Sequence, residues 1–266
     1  MIGVIIGVLA VIITFLLKGV SPVILINLPS IFIVIIGSTG AVIASFGMDN
    51  FKRVPKLLGI ATKTYKSKAV ETRVQLVEFT ERARRAGLLD LEKDVEQVPD
   101  PFLKHGLQMV IDGMEPDTVE EVLTLEIDAL KNRHSVGHQL WGLWAGYAPT
   151  FGILGAVMGL IAVMAHLSEP EKLGAGIQVA FIATLIAVGL ANILFMPMSV
   201  ALKGRTTAEV AEREMAVAGI LALQAGDNPR IVEQKLDTFL TPAQRASIPA
   251  KGSGSGSSGS ASAEAA

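Results

Sequence analysis

Four long apolar stretches dominate the pattern of this chain: residues 2–17, 28–48, 147–165 and 173–200 contain no Asp, Glu, Lys or Arg. A helix of roughly 17–25 predominantly apolar residues crosses a bilayer. No strand-like alternation of apolar and polar residues stands out in the rest of the chain. The pattern therefore predicts an all-α, polytopic membrane protein with four transmembrane helices.

The polar segments between and after these stretches define the remaining parts of the chain. Residues 1–48 are predicted to form a hairpin of spans one and two, and residues 145–202 a hairpin of spans three and four. Residues 49–144 and 203–250 carry helical patterns broken by turn signals, which predicts a helical domain and a set of C-terminal helices. Residues 252–266 repeat Gly, Ser and Ala, as artificial linkers do, and no fold is expected from them.

Lysine and arginine are distributed unequally between the two sides of these spans. Lys18 and Lys172 lie on one side, whereas every other basic residue falls in 49–144 or after residue 202. Cytoplasmic segments near span ends are enriched in Lys and Arg. We therefore expect the 49–144 domain, the 203–250 helices and both termini to be cytoplasmic.

Local signals predict where several helices begin and end. Asp100 and Asn228 each precede a proline, which is an N-cap followed by the residue best suited to the first helical position. Thr118, three residues before a Glu, is read as a capping box that opens a helix. No strong breaker follows before Gly137, so this helix is expected to continue into span three, and span four is expected to continue to about Gln224.

Small residues recur at four-residue spacing in the spans, as in Gly155 with Gly159 and Ala183 with Ala187 and Ala191. This spacing lets helix backbones approach closely. It predicts packing of the spans against one another. Since such faces occur on all four stretches, it also favours an oligomer.

Aromatic residues and prolines mark one end of spans three and four. Trp141, Trp144 and Tyr147 recur at helical spacing before span three and are interpreted as an aromatic belt at the membrane interface. Pro149 and Pro197 lie within or at the ends of their spans, where a proline removes a backbone hydrogen bond and bends the helix. Simple curvature and a hinge that couples the spans to the polar domain both remain open.

Candidate polar side chains are few, and each has two interpretations. A hydroxyl in a span, at Thr150 or Thr184, bonds back to its own helix or lines a wet path. His134 and His138 are four residues apart and suit a metal on one helix face, but without an obvious third ligand they are interpreted as surface or interface residues. Residues 78–92 mix both signs of charge, which is typical of a solvated face and also suits a charged docking surface.

Composition narrows the possible functions. A pump or carrier normally moves ions past an ionisable intramembrane residue, so a protein without one either borrows a carboxylate from a partner or moves no ions. The net charge is −2, which argues against nucleic acid as a partner, and the absence of cysteine excludes thiol chemistry. No Gly-Lys dipeptide exists, so a Walker A loop is absent. We expect no enzyme activity, no metal and no cofactor.

Two segments carry a family resemblance: residues 149–161 (PTFGILGAVMGLI) and residues 82–92 (RARRAGLLDLE). Together with the two-plus-two arrangement of spans, they resemble the A subunit of the bacterial flagellar stator, the MotA/PomA family, over essentially the whole natural chain. The resemblance implies an inner-membrane protein in which five A subunits surround two copies of a MotB-like single-span B subunit. In that family the B subunit's aspartate carries the ion, and the A ring applies torque to the rotor protein FliG.

The resemblance also implies roles for individual residues. It assigns the contact with the rotor to Arg84 and Glu92, with Arg85 as the alternative arginine, and the coupling role to Pro149 and Pro197.

The ion path is implied in the same way. Thr184 matches the span-four threonine of the family's ion path, and Thr150 is a second candidate near the start of span three. Members that use sodium carry another threonine on span three, where this chain has Ala156. This departure favours H+ over Na+ as the transported ion.

Three other classes compete with the stator. An ExbB/TolQ-type energising complex also uses a partner's aspartate, but its usual layout is one span, a polar region and two more spans. A secondary transporter needs a substrate site, often with broken helices and polar groups, which the spans do not offer. A passive membrane scaffold predicts that substitutions of the prolines and charges leave cell behaviour unchanged.

Overall fold

The computed structural model describes residues 2–168 and 170–248 of the chain, and every regular element in those ranges is helical. The helices are α1 Ile2–Leu17, α2 Leu28–Phe46, α3 Met48–Phe51, α4 Val54–Thr62, α5 Ala69–Ala86, α6 Glu92–Val95, α7 Pro101–Ile111, α8 Pro116–Ala165, α9 Leu173–Gln224, α10 Pro229–Asp237 and α11 Pro242–Ala246. Short 3₁₀ turns occupy Pro22–Leu25 and Leu88–Leu91. The prediction of an all-α fold is confirmed.

Among the described residues, three helices are long and apolar enough to cross a membrane: α2, α8 and α9. The first apolar helix, α1, has 16 residues. At 1.5 Å per residue it rises about 24 Å, which is less than the roughly 30 Å of a typical hydrocarbon core. Three of the four predicted spans thus have the length and apolar character that a crossing needs, and the four-span topology stays a prediction.

The two longest helices continue well beyond their apolar segments, as predicted. Helix α8 runs for 50 residues and α9 for 52, ending at Gln224. The capping box predicted at Thr118 is wrong, because α8 already begins at Pro116. A proline suits the first helical turn, since it has no N–H to leave unbonded and its φ is preset. The helix therefore starts three residues before the Val119 start that a Thr118 cap implies, and the Val119 N–H donates to the Glu115 carbonyl at 3.1 Å.

Two shorter helices begin where the sequence indicates. The Asp100 side chain accepts from the Phe102 and Leu103 N–H groups at 2.9 and 3.2 Å. The Asn228 side chain accepts from the Arg230 N–H at 3.0 Å. Both caps satisfy donors that a helix leaves unbonded at its first turn, so α7 and α10 have the predicted starts.

The described residues form two compact units, each drawn from two separate stretches of the chain. One unit takes the residues up to 66 together with 124–211, and the other takes 67–123 together with the residues from 212 onward. The boundaries predicted from the sequence, at 49–144 and 203–250, stay a prediction.

The second unit is held by apolar packing and one largely buried ion-pair cluster. A Cβ added at Gly219 would lie 2.6 Å from the Leu76 Cδ1 atom, so α5 and α9 approach closely there. The Arg73 side chain on α5 is 11% exposed and lies 3.0 Å from the Asp237 carboxylate and 3.7 Å from the Glu233 carboxylate of α10. The ion pairs fix α10 on α5.

Candidate functional site

Small residues bring the apolar parts of α8 and α9 into close contact. A Cβ added at Gly152 would lie 2.4 Å from the Ala187 Cβ, and one added at Gly155 would lie 2.9 Å from the Ala183 Cβ. Real Cβ atoms do not approach so closely, so only glycine fits these positions at this helix separation. The predicted packing of spans through small residues is confirmed for Gly155 and Ala183.

The candidate ion-path residues lie on these two helices. Thr184 is half-buried. It lies beside the contact between the two helices, since the added Gly152 Cβ would lie 3.4 Å from the Thr184 Cα. Its hydroxyl donates to the Ala180 carbonyl at 3.3 Å, and the exposed Thr150 hydroxyl donates to the Tyr147 carbonyl at 2.7 Å. Ala156 is half-buried one residue after Gly155. A hydroxyl that donates to its own helix still keeps oxygen lone pairs to offer a ligand.

The aromatic belt predicted before span three is wrong for its two tryptophans, which are buried. Trp141 and Trp144 are 3% and 8% exposed. The Trp144 ring stacks on Phe195 of α9 with centroids 4.6 Å apart. The Trp144 indole N–H also donates to the Ser38 hydroxyl at 3.0 Å, and Ser38 is fully buried on α2. A buried polar bond thus links α2 to α8 inside the first unit.

The two candidate hinge prolines differ in their backbone surroundings. Pro149 lies inside α8, which is assigned as continuous α-helix. Pro197 lies two residues after the end of a π-helical turn at Leu190–Phe195, where the Met196 N–H donates to the Ala191 carbonyl five residues back. A second π turn, at Phe32–Gly37, lies in α2. Such turns often mark functional positions or places where a helix absorbs strain, and neither was predicted from the sequence.

The charged stretch folds back on itself around Gly87, whose φ of +90° ends α5. The Arg82 guanidinium bonds the Asp90 carboxylate at 3.3 Å and also pairs with Asp94. These partners raise the pKa of the Arg82 guanidinium, chiefly through the hydrogen bond to Asp90. The pairs of Arg82 with Asp90 and Asp94 form a brace across the Gly87 turn. This brace was not predicted from the sequence, although the two acidic residues eight and twelve positions after Arg82 could have indicated it.

The three residues predicted to face the rotor are exposed around this brace. The Arg85 guanidinium lies 3.3 Å from the Glu81 carboxylate one turn earlier on α5. Arg84 is exposed and forms no ion pair within the described residues, and Glu92 is exposed at the start of α6. The structure thus places Arg84 and Glu92 on either side of the Gly87 turn, with Arg85 engaged on its own helix.

The two histidines considered for a metal lie near different partners. The His134 Nδ1 atom is 3.8 Å from a Glu209 carboxylate oxygen. The pKa of His138 is lowered, chiefly by partial burial and secondly by the nearby positive charge of Lys203. In the part of the chain that the structure describes, no group of three His, Cys, Asp or Glu residues is placed to hold a metal ion. The interpretation of these histidines as surface or interface residues stays a prediction.

Known proteins match this chain over most of its length. A model of the MotA/TolQ/ExbB proton channel family matches residues 94–215. Motility protein A of Borreliella burgdorferi is 40% identical over 222 residues, which cover 84% of this chain and 85% of that protein. The structure of the flagellar MotAB stator complex from Bacillus subtilis is 37% identical with a TM-score of 0.85, covering 92% of this chain and 96% of that chain. The structure of C. jejuni MotAB is 30% identical with a TM-score of 0.85, covering 91% and 94%.

These matches decide between the classes left open by the sequence. TolQ and ExbB share only the broader family model, whereas the relative and the two structures named above are a motility protein A and MotAB complexes, matched over 84–92% of this chain. The family consists of ion-channel and stator subunits and not of enzymes. Together with the apolar helices, it indicates a multi-pass protein of the inner membrane. The chain therefore belongs to the MotA/TolQ/ExbB proton channel family and, within it, to the motility protein A subunits of the flagellar stator.

Proposed function

We propose that this chain is the proton-driven A subunit of its stator and works as a ring, a pentamer, around a MotB-like single-span partner. The observation that carries this proposal is the absence of any Asp, Glu, Lys or Arg from the stretches 28–48, 147–165 and 173–200. An ion that crosses beside these helices needs a titrating group, and the partner's aspartate supplies it. The MotAB complexes among the matched structures support this division of labour.

The energy of each step comes from neutralising that partner charge. An ionised carboxylate in the membrane carries a large desolvation cost, which protonation removes. One elementary charge that crosses 100 mV of membrane potential supplies about 2.3 kcal/mol. Because one ion supplies so little, torque is built from many small steps, and a symmetric ring offers equivalent positions for them.

The ion is a proton because span three offers no second hydroxyl at position 156. Ala156 has no side-chain oxygen, so of the three residues assigned to the ion path only Thr184 and Thr150 carry a hydroxyl. A proton that binds the partner's carboxylate requires no further ligands. A sodium ion requires several oxygen atoms around it. The Thr184 hydroxyl, half-buried beside the α8–α9 contact, then serves the path as a hydrogen-bonding group.

Rotor contact is assigned to Arg84 and Glu92. Arg85 already lies beside Glu81, so its charge is partly compensated within α5. Arg84 forms no ion pair within the described residues and is exposed, which leaves its charge available for an acidic group on FliG. Arg82 holds the turn between the two contact residues through Asp90 and Asp94.

The orientation follows from the same division of charges. With both termini, residues 49–144 and residues 203–250 on the cytoplasmic side, Arg84 and Glu92 face the compartment of the rotor, as the positive-inside rule requires. Pro149 and Pro197 lie at the ends of the apolar segments on that side, where a change in helix direction is transmitted to the cytoplasmic helices.

The experiment is the rotation speed of tethered cells that lack their own stators and express this chain with its B partner. External sodium is replaced by potassium at fixed pH. We expect unchanged rotation that a protonophore abolishes. The matched variant Ala156→Thr, which adds one hydroxyl at the position in question, is measured in parallel. Rotation of the unmodified chain that stops without sodium would contradict the choice of ion while leaving the stator assignment in place.

A further inference from the structure

A cavity of about 290 Å³ lies within the first unit, bounded by α4, α8 and α9. Three arginines from three separate segments line it: Arg53 just before α4, Arg133 on α8 and Arg205 on α9. Helix α4 packs closely on α8 beside it, since a Cβ added at Gly137 would lie 3.0 Å from the Leu57 Cδ2 atom. The cavity thus gathers positive charge that is distant in the sequence.

The positive charge of these three arginines exceeds the single negative charge that lines the same cavity. None of the three forms an ion pair with any residue that the structure describes. Glu209 is the acidic residue that lines the cavity, and its carboxylate lies 3.8 Å from the His134 Nδ1 atom. Like charges around one space repel, and a bound anion is what removes that cost. The cavity therefore suits an anionic ligand.

A large part of the remaining wall of the cavity is apolar, beside the polar side chains of Asn50, Tyr65 and Thr206. Leu57, Leu140 and Leu202 line it, and the last two are 0% and 7% exposed in the folded chain. A small soluble anion gains nothing from such a wall, whereas a ligand with a charged head and a hydrocarbon body uses both. The cavity thus has the amphipathic character of a lipid site.

Its position relative to the spans points to the same class of ligand. Arg53 follows the apolar stretch 28–48, and Arg205 follows the stretch 173–200, each by five residues. Basic pockets between transmembrane helices at the cytoplasmic surface bind anionic lipid headgroups. The guanidinium group also presents a planar fork of donors that matches phosphate oxygens.

We propose that this cavity binds the phosphate of an anionic phospholipid of the phosphatidylglycerol class. Arg53, Arg133 and Arg205 donate to the phosphodiester oxygens, and the leucine wall contacts the glycerol and the first carbons of a chain. The cavity equals about ten waters in volume, so it holds a headgroup, while the acyl chains extend outside along the exposed Leu58 and Ile60 of α4. This binding does not depend on the ion or on the rotor contact.

Native mass spectrometry of the full chain in complex with its B partner tests the proposal. The detergent-purified complex is incubated with equal concentrations of dioleoylphosphatidylglycerol and dioleoylphosphatidylcholine, and retained lipids are counted. We expect at least a tenfold preference for the anionic lipid. The triple variant Arg53→Gln, Arg133→Gln, Arg205→Gln should bring the two lipids to parity.

A charge-matched control separates the cavity from general attraction to a basic surface. Lys52, Lys56 and Lys63 are exposed in the same membrane-proximal segment, and none lines the cavity. Replacing all three lysines by Gln changes the net charge by the same amount as the triple arginine variant. The complex should nevertheless keep its tenfold preference for the anionic lipid. Loss of preference in this control as well would overturn the site and leave only a surface effect.

A competition measurement and two single variants test the remaining explanations. Release of the anionic lipid by millimolar inorganic phosphate would identify a soluble-anion site and overturn the lipid assignment, as would equal retention of both lipids by the unmodified complex. If the triple variant does not assemble, the single variants Arg133→Gln and Arg133→Lys replace it. The first should lower the preference several-fold, and the second should retain part of it, because the charge remains while the fork of donors is lost.

Discussion

Gly152 is the position where the contact between α8 and α9 leaves the least space. A Cβ there would lie 2.4 Å from the Ala187 Cβ, more than 1 Å inside ordinary contact. Gly152→Ala therefore forces the helices apart or distorts them. Overpacking of this kind costs about 1–3 kcal/mol.

The same substitution also stabilises the helix itself, and this effect must be separated from the cost of overpacking. Replacing glycine by alanine inside a helix stabilises it by roughly 0.8–1 kcal/mol. Gly146 supplies the control, because it lies on the same helix, is exposed, and its added Cβ would meet no atom within 4 Å. The free energy of unfolding of Gly152→Ala should be about 1–3 kcal/mol below that of Gly146→Ala, and the difference is the packing term alone.

Unfolding of the purified protein in detergent, followed by the fluorescence of Trp141 and Trp144, measures both variants. These are the two tryptophans of the sequence, and both are buried in the first unit. The double variant Gly152→Ala, Ala187→Gly restores the space and should recover at least half of the loss. If Gly152→Ala matches Gly146→Ala in stability, or if the Ala187→Gly change recovers nothing, the helices do not approach as described.

Three further predictions concern charged groups. Arg84→Ala should reduce swimming speed more than Arg85→Ala, because within the described residues Arg85 forms an ion pair on its own helix and Arg84 forms none; equal speeds in a motility assay would contradict this. Arg73→Met should lower the free energy of unfolding by about 1–3 kcal/mol in a chemical denaturation experiment, since it leaves two carboxylates without their cation, and Asp237→Asn should cost less because the Glu233 carboxylate remains at 3.7 Å. The lowered pKa of His138 means that the folded state binds this proton less tightly than the unfolded chain. Neutral His138 therefore makes its full contribution to the stability of the folded state above the ordinary histidine pKa of about 6.5. That contribution is lost as the pH falls through the pKa of His138 in the folded protein. Melting temperatures measured across that range should fall less steeply on acidification in His138→Gln, and parallel curves would refute the prediction.

The sequence predicts those parts of the fold that depend on local chemistry. Asp100 and Asn228 cap helices as expected, because an N-cap bonds N–H groups only two or three residues away. The start of α8 was missed because Pro116 and Thr118 are competing local signals, and the proline takes the first helical position.

What the sequence could not predict depends on contacts between distant residues. The Trp144 indole bonds Ser38 across 106 residues of sequence, and no periodicity marks that pairing. The same pairing accounts for the wrong prediction of an aromatic belt, since tryptophans before a span are expected to face the interface unless a partner is available inside the protein. Among the candidate site residues, the sequence placed Thr184 and Arg84 on their helices. It did not predict the close contact of α8 and α9 beside Thr184, or the ion pair of Arg82 with Asp90 beside Arg84.

The two prolines, predicted as an equivalent pair, have different structural consequences. A proline has no N–H, so the carbonyl four residues earlier loses its usual donor. For Pro197 that carbonyl belongs to Ile193, which lies inside the π turn Leu190–Phe195. The wider turn already shifts the hydrogen-bond register of α9 before the proline is reached. For Pro149 the surrounding helix keeps its α assignment throughout. Replacing Pro149 by alanine therefore restores a donor to an otherwise regular helix, whereas replacing Pro197 also removes a reason for the π turn, so the two variants do not test the same coupling.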